Sequence, residues 1–139
     1  MSNFNYKGGV SSTGQYQMSA IPFASASITV VALGNDPVKV SFPRISKFVT
    51  VRNTLSPDDT DVPLRVGFSS NGTSGSVAGQ KNYFTLSNGE SYTGEWRLSS
   101  IYLLSESSSE SSASIVAGLT TVSTGSNNFS NWSGSLGVG

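Results

Sequence analysis

The sequence contains no cysteine and no histidine. Without thiols there is no disulfide framework, no thiolate metal site and no cysteine nucleophile. Without imidazole there is no Ser–His relay and no side chain whose ordinary pKa lies near neutrality. Charge is scarce as well: eight basic and eight acidic residues make up 12% of the chain and cancel to zero. A nucleic-acid-binding surface needs clustered Lys and Arg to neutralise phosphates, so no nucleic-acid partner is expected. Long apolar runs are missing too. The longest, Ile28 to Leu33, has six residues, against about 20 for a bilayer span. Met1 to Val10 lacks a basic segment followed by an apolar one, so no signal peptide is expected, and the lack of cysteine favours assembly in a reducing compartment.

What fills the chain is small and polar: 29 serines, 11 threonines and 15 glycines account for 55 of 139 residues. That length fits one domain. Composition divides it into three parts. Residues 1–22 form a polar N-terminal arm with isolated aromatics, residues 23–122 hold nearly all the aliphatic side chains, and residues 123–139 form a Gly/Ser/Asn-rich C-terminal arm.

The middle part predicts β-structure. Short bursts of Val, Ile, Phe, Tyr and Thr alternate with Gly, Pro, Asn, Asp and Ser clusters, and helical spacing is nowhere sustained. Eight strands are expected, over Ala26–Leu33, Val38–Phe42, Lys47–Asn53, Pro63–Ser69, Tyr83–Leu86, Ser91–Leu98, Ile101–Leu104 and Ser114–Val122. Alternation points Val49, Val51, Leu64, Val66, Phe68, Ile115, Ala117 and Leu119 inward, and Thr50, Arg52, Arg65 and Gly67 away from them. Ser87-Asn88-Gly89 is a turn, because Asn and Gly accept positive φ. Ser70 to Lys81 is expected as a loop, and Ser105 to Ser112 as an exposed tip that buries nothing. Eight strands in about 100 residues, with no Cys–Trp–Cys signature, predict an all-β, eight-stranded antiparallel β-sandwich of jelly-roll type.

Candidate chemistry is thin. Asp58, Asp59 and Asp61 lack the regular spacing, the Gly and the closing Glu of a calcium loop, which leaves a solubilising loop tip. Glu90 and Glu95 would point to opposite faces of a strand, which argues against a paired acid and base. Gly72, Gly75 and Gly79 do not bracket a strand-to-helix turn and suit no phosphate loop. No catalytic residue, cofactor or metal site is therefore expected, and the chain is not expected to be an enzyme. The aromatics of the arms carry more weight. Phe4, Tyr6, Tyr16, Phe129 and Trp132 lie in segments too polar to make a core, and burying one is worth on the order of 2 kcal/mol. They either fold back onto their own sandwich or anchor neighbouring subunits, and they are the candidate subunit-contact residues.

Six stretches occur in order: Val49-Thr50-Val51-Arg52-Asn53-Thr54, Leu64-Arg65-Val66-Gly67-Phe68-Ser69, Asn71-Gly72, Asn82-Tyr83-Phe84-Thr85-Leu86, Gly89-Glu90-Ser91-Tyr92 and Ala117-Gly118-Leu119-Thr120. Together they resemble single jelly-roll penton (vertex capsid) proteins of large icosahedral double-stranded DNA viruses. The resemblance covers roughly residues 24–122 and leaves both arms unmatched. It implies a structural protein of the virion, five copies around each fivefold axis, contacts with major and minor capsid proteins, and assembly in the host cytoplasm. It brings no catalytic residues. Two other expectations stand beside it. One is a minor capsid cement protein. The other is a carbohydrate- or receptor-binding β-sandwich of a fibre or spike, with Tyr83, Tyr92, Trp96 and Tyr102 as a stacking face for sugar rings.

Overall fold

The computed structural model describes residues 20–75, 81–123, 132 and 134–139. Among these described residues eight strands run in chain order: β1 (Ile21–Val30), β2 (Val38–Ser41), β3 (Arg44–Asn53), β4 (Leu64–Gly67), β5 (Tyr83–Leu86), β6 (Ser91–Gly94), β7 (Ser100–Ser105) and β8 (Ser111–Ser123). They form two antiparallel four-stranded sheets, ordered β1-β8-β3-β6 and β2-β7-β4-β5. The expected all-β antiparallel sandwich is what the chain adopts. Only the β4-to-β5 connection stays within one sheet; every other connection crosses to the opposite one.

The inward-facing sets meet between the sheets. Val49, Val51, Ile115, Ala117 and Leu119 from one sheet pack with Leu64, Val66, Leu86, Ile101 and Leu103 from the other. Alternation along each strand delivers these positions to one face. Edge strands lack a neighbour on one side, and aromatics cover the gap there. Phe23 of β1 meets Phe42, which follows β2, edge to face at 5.2 Å. On the other margin Phe84 of β5 meets Tyr92 of β6 at 5.3 Å.

β1 begins at Ile21, earlier than expected, because Phe23, Ser25 and Ile28 alternate inward across a bulge where Ser27 adopts a φ of 56°. The strand thus reaches into the segment that composition assigns to the N-terminal arm. β6 stops at Gly94 instead of running to Leu98. The loop expected after β4 contains a helix among its described residues, α1 (Ser70–Ser74). Ser69 caps it, accepting a hydrogen bond from Gly72 N at 2.9 Å, and Gly75 closes it at a φ of 64°. Thr73 of α1 lies on Gly67, where a Cβ would stand 2.1 Å from the Thr73 hydroxyl. The helix therefore covers the outer face of its sheet and leaves Leu104 buried there.

The serine-rich tip also departs from expectation. Ser105 and Ser111 are buried, and the Ser105 hydroxyl donates to Ser109 O at 2.6 Å. Glu106 turns inward and pairs with Arg65 through both carboxylate oxygens. The Arg65 guanidinium also donates to Ser74 O at 2.8 Å and lies 4.2 Å above the Tyr83 ring. Its hydrogen bonds to Glu106 raise the Arg65 pKa against the opposing effect of burial.

Candidate functional site

The margin beside β5 and β6 collects the exposed aromatic surface. It is built by Ser46, a serine with no solvent exposure on β3. Its hydroxyl donates to Trp96 O at 2.5 Å and accepts from Leu98 N at 2.9 Å, while Ser46 N donates to Leu98 O at 2.9 Å. These bonds take the segment after Gly94 out of the β6 ladder and hold it across the end of the sheet. Trp96 then folds back over Gly94, whose missing side chain leaves room for the indole. Around it, Phe68 lies edge-on at 4.9 Å, Phe84 is tilted at 6.2 Å and Tyr92 is stacked at 5.9 Å with 17° between ring planes.

The C-terminal segment closes one side of this cluster. Trp132 Nε1 donates to Arg97 O at 3.0 Å, and the Arg97 guanidinium lies 5.0 Å above the Trp132 ring. Ser135 N donates to Trp132 O and Val138 N to Ser135 O, which folds the last residues into turns. Val138 O accepts from the Ser69 hydroxyl at 2.7 Å and packs against Gly72. A cavity of about 290 Å3 lies between the aromatic cluster and this segment, lined by Phe68, Trp96, Leu98, Trp132, Glu95 and Arg97 among others.

Of the candidate contact residues, Trp132 is placed on its own sandwich; Phe4, Tyr6, Tyr16 and Phe129 lie outside the described residues. The four-residue stacking face is corrected. Tyr92 and Trp96 come together, but Tyr83 and Tyr102 stand opposite Gly67 on the outer face of the other sheet. Period-two alternation puts them there, away from their core-facing neighbours Phe84 and Leu103.

The acidic loop is structural in part: Asp61 Oδ1 accepts from Asn88 N at 3.0 Å. The Asn88 side chain donates to Ser56 O and Thr60 O and accepts from Val62 N, tying that loop to the β5–β6 turn. Asn53 does the same work one layer deeper, donating to Val62 O and Leu86 O and accepting from Leu55 N. Among the described residues no group of three or more acidic side chains could hold a metal ion, and no helix is long and apolar enough to cross a membrane. No protein-family model matches the chain, and no curated protein matches it.

Proposed function

We propose that this chain is a non-enzymatic structural subunit of an icosahedral capsid, a jelly roll that forms pentamers at the fivefold vertices and contacts the surrounding capsid proteins. The observation that carries the proposal is the strand order. Two four-stranded antiparallel sheets, joined by connections that cross between them at every step but one, suit the double Greek key of a jelly roll. The stretches that resemble vertex proteins fall on β3, β4, α1, β5, β6 and β8 of that arrangement.

Its outer surface suits lateral packing. Ala24, Val116, Thr50 and Thr93 form one row across the β1-β8-β3-β6 sheet, and Pro22, Gly118 and Phe48 lie in the next. Neither row carries a charge. A closed ring needs one patch to meet a different patch of the next copy, and small uncharged side chains allow close approach at low cost in side-chain entropy. Leu136, fully exposed in the C-terminal segment, adds an apolar point for a neighbour to cover.

The test is the mass of the purified oligomer by native mass spectrometry, together with imaging of particles. Five copies per ring at the vertices are expected. A monomer that stays monomeric at high concentration and leaves particle vertices unoccupied overturns the proposal.

A further inference from the structure

Asparagine followed by glycine is chemically labile in water. The glycine nitrogen, unhindered by a neighbouring side chain, loses its proton and attacks the asparagine Cγ; ammonia leaves, and water opens the resulting succinimide to aspartate or isoaspartate. The chain has two such pairs, Asn71-Gly72 and Asn88-Gly89. The reaction needs a backbone free to bring nitrogen and Cγ together and a glycine N–H free to be deprotonated. The fold treats the two pairs differently on both counts.

Asn88-Gly89 is locked. Asn88 is buried, and its side chain donates to Ser56 O and Thr60 O and accepts from Val62 N. Gly89 N donates to Asn53 O at 3.0 Å, and Glu90 N closes the turn on Ser87 O at 2.9 Å. Reaction there requires the acidic loop and the β5–β6 turn to come apart together, a large cooperative opening. Asn71-Gly72 lies in α1, where Asn71 is exposed. Among the described residues no hydrogen bond holds the Asn71 side chain. The reacting nitrogen, Gly72 N, is held by the Ser69 hydroxyl at 2.9 Å, and the C-terminal segment covers Gly72 through Val138 O. Gly72 O accepts from Asn82 N, and Asn71 O from Gly75 N; neither bond engages the reacting atoms. With five residues and no aliphatic or aromatic side chain, α1 has little apolar burial to resist opening.

We propose that Asn71 is a site of spontaneous modification, deamidated to aspartate and isoaspartate when α1 opens, with Ser69 as its gate. Aspartate there takes the net charge of the chain from zero to −1. Isoaspartate inserts an extra carbon into the backbone of α1 and breaks the register in which Thr73 N bonds Ser69 O and Gly75 N bonds Asn71 O. The Ser69 hydroxyl that caps the helix also holds Val138 O, so the damage reaches the C-terminal segment. This inference does not rest on the capsid proposal and holds for a monomer or a ring.

The full chain is incubated in mildly alkaline buffer and mapped by peptide mass spectrometry over time. Modification should accumulate faster at Asn71 than at Asn88, whereas the chain held unfolded in urea should react at both. Asn71→Gln, at an exposed position, should remove the faster signal. Ser69→Ala should speed the reaction at Asn71 about fivefold, the factor by which losing a cap eases opening, and leave Asn88 unchanged. Amide hydrogen exchange in the parent needs no variant: Gly72 N–H, freed by the same opening, should exchange faster than Gly89 N–H. Reaction at Asn71 no faster than at Asn88, exchange at Gly72 no faster than at Gly89, or an unchanged rate at Asn71 in folded Ser69→Ala would overturn the inference.

Discussion

The indole of Trp96 occupies the place where Gly94 would carry a side chain: a Cβ built there stands 2.2 Å from the six-membered ring. Gly94 is buried on the edge strand β6, with Val49 opposite it in the ladder. Its smallness therefore decides where the aromatic cluster sits.

Gly94→Ala tests that dependence. The backbone can accommodate alanine, so the cost falls on the indole, which must leave its contacts with Phe68 and Tyr92. Overpacking of this kind costs about 1–3 kcal/mol. The urea midpoint should fall accordingly, and the tryptophan emission should shift to the red. A variant with native stability and native emission would show that Trp96 does not depend on Gly94 for its place.

Ser69 joins two tasks that substitution can separate. Its hydroxyl caps α1 by accepting from Gly72 N and tethers the C-terminal segment by donating to Val138 O. Ser69→Ala loses both and should cost about 1 kcal/mol, with glycine at a cap costing only a few tenths of that relative to serine. Ser69→Gly should therefore be nearly as stable as the parent yet release the C-terminal segment as fully as Ser69→Ala does. Limited proteolysis after residue 131 measures release, and thermal melting measures stability. Equal protection of the segment in all three proteins would remove Ser69 as its tether.

How much of this was legible in the sequence follows from what each feature depends on. β3 announces itself because Val49 and Val51 alternate with Thr50 and Arg52, whereas β5 and β8 read as short, largely apolar runs, Tyr83-Phe84-Thr85-Leu86 and Ile115-Val116-Ala117-Gly118-Leu119, flanked by polar residues. Gly89 takes a φ of 80°, as the Ser87-Asn88-Gly89 turn requires. α1 was missed because Ser-Asn-Gly-Thr-Ser has no apolar period; the available signal was Ser69 before it and Gly75 after it, a cap at each end. Ser46, Asn53 and Asn88 could not be singled out at all. Their importance comes from burial and from partners far along the chain, and serine is the commonest residue present. The cavity was illegible for the same reason, since Phe68, Trp96 and Trp132 meet only in three dimensions.

Arg65 shows how an outward-facing position becomes a structural centre. Its guanidinium reaches Glu106, the carbonyls of Thr73 and Ser74, and the Tyr83 ring. It thereby joins the β7–β8 tip, the end of α1 and β5. Arg65→Lys keeps the charge but not the planar fork, and a single ammonium cannot serve partners on three sides. The loss should be about 1–3 kcal/mol in urea unfolding. Glu106→Gln should cost less, because that carboxylate is partly in water. The raised pKa keeps Arg65 protonated far above neutrality, so its own contribution should be constant across neutral pH. A lysine variant as stable as the parent would mean the fork adds nothing beyond its charge.

If the chain assembles as proposed, substitutions at Leu136 and removal of residues 1–19 should separate folding from assembly. Leu136 has a relative exposure of 105%, so within the monomer it contributes no burial; covering a leucine is worth about 1.5–3 kcal/mol. In the proposed ring a Leu136 contact would recur at every interface, so a small change per copy would be multiplied on closure. Leu136→Asp should leave the thermal midpoint unchanged and sharply reduce the fraction of protein recovered as rings or incorporated into particles. Removing residues 1–19 should act the same way, because the chain from Ala20 onward retains β1 and the contact of Ala20 near Gly118 and Phe48. If the shortened chain failed to fold alone, the N-terminal arm would belong to the sandwich. If Leu136→Asp assembled as well as the parent, the C-terminal tip would not be an intersubunit contact, and the two uncharged rows on the outer face of the β1-β8-β3-β6 sheet would have to supply the apolar contact alone.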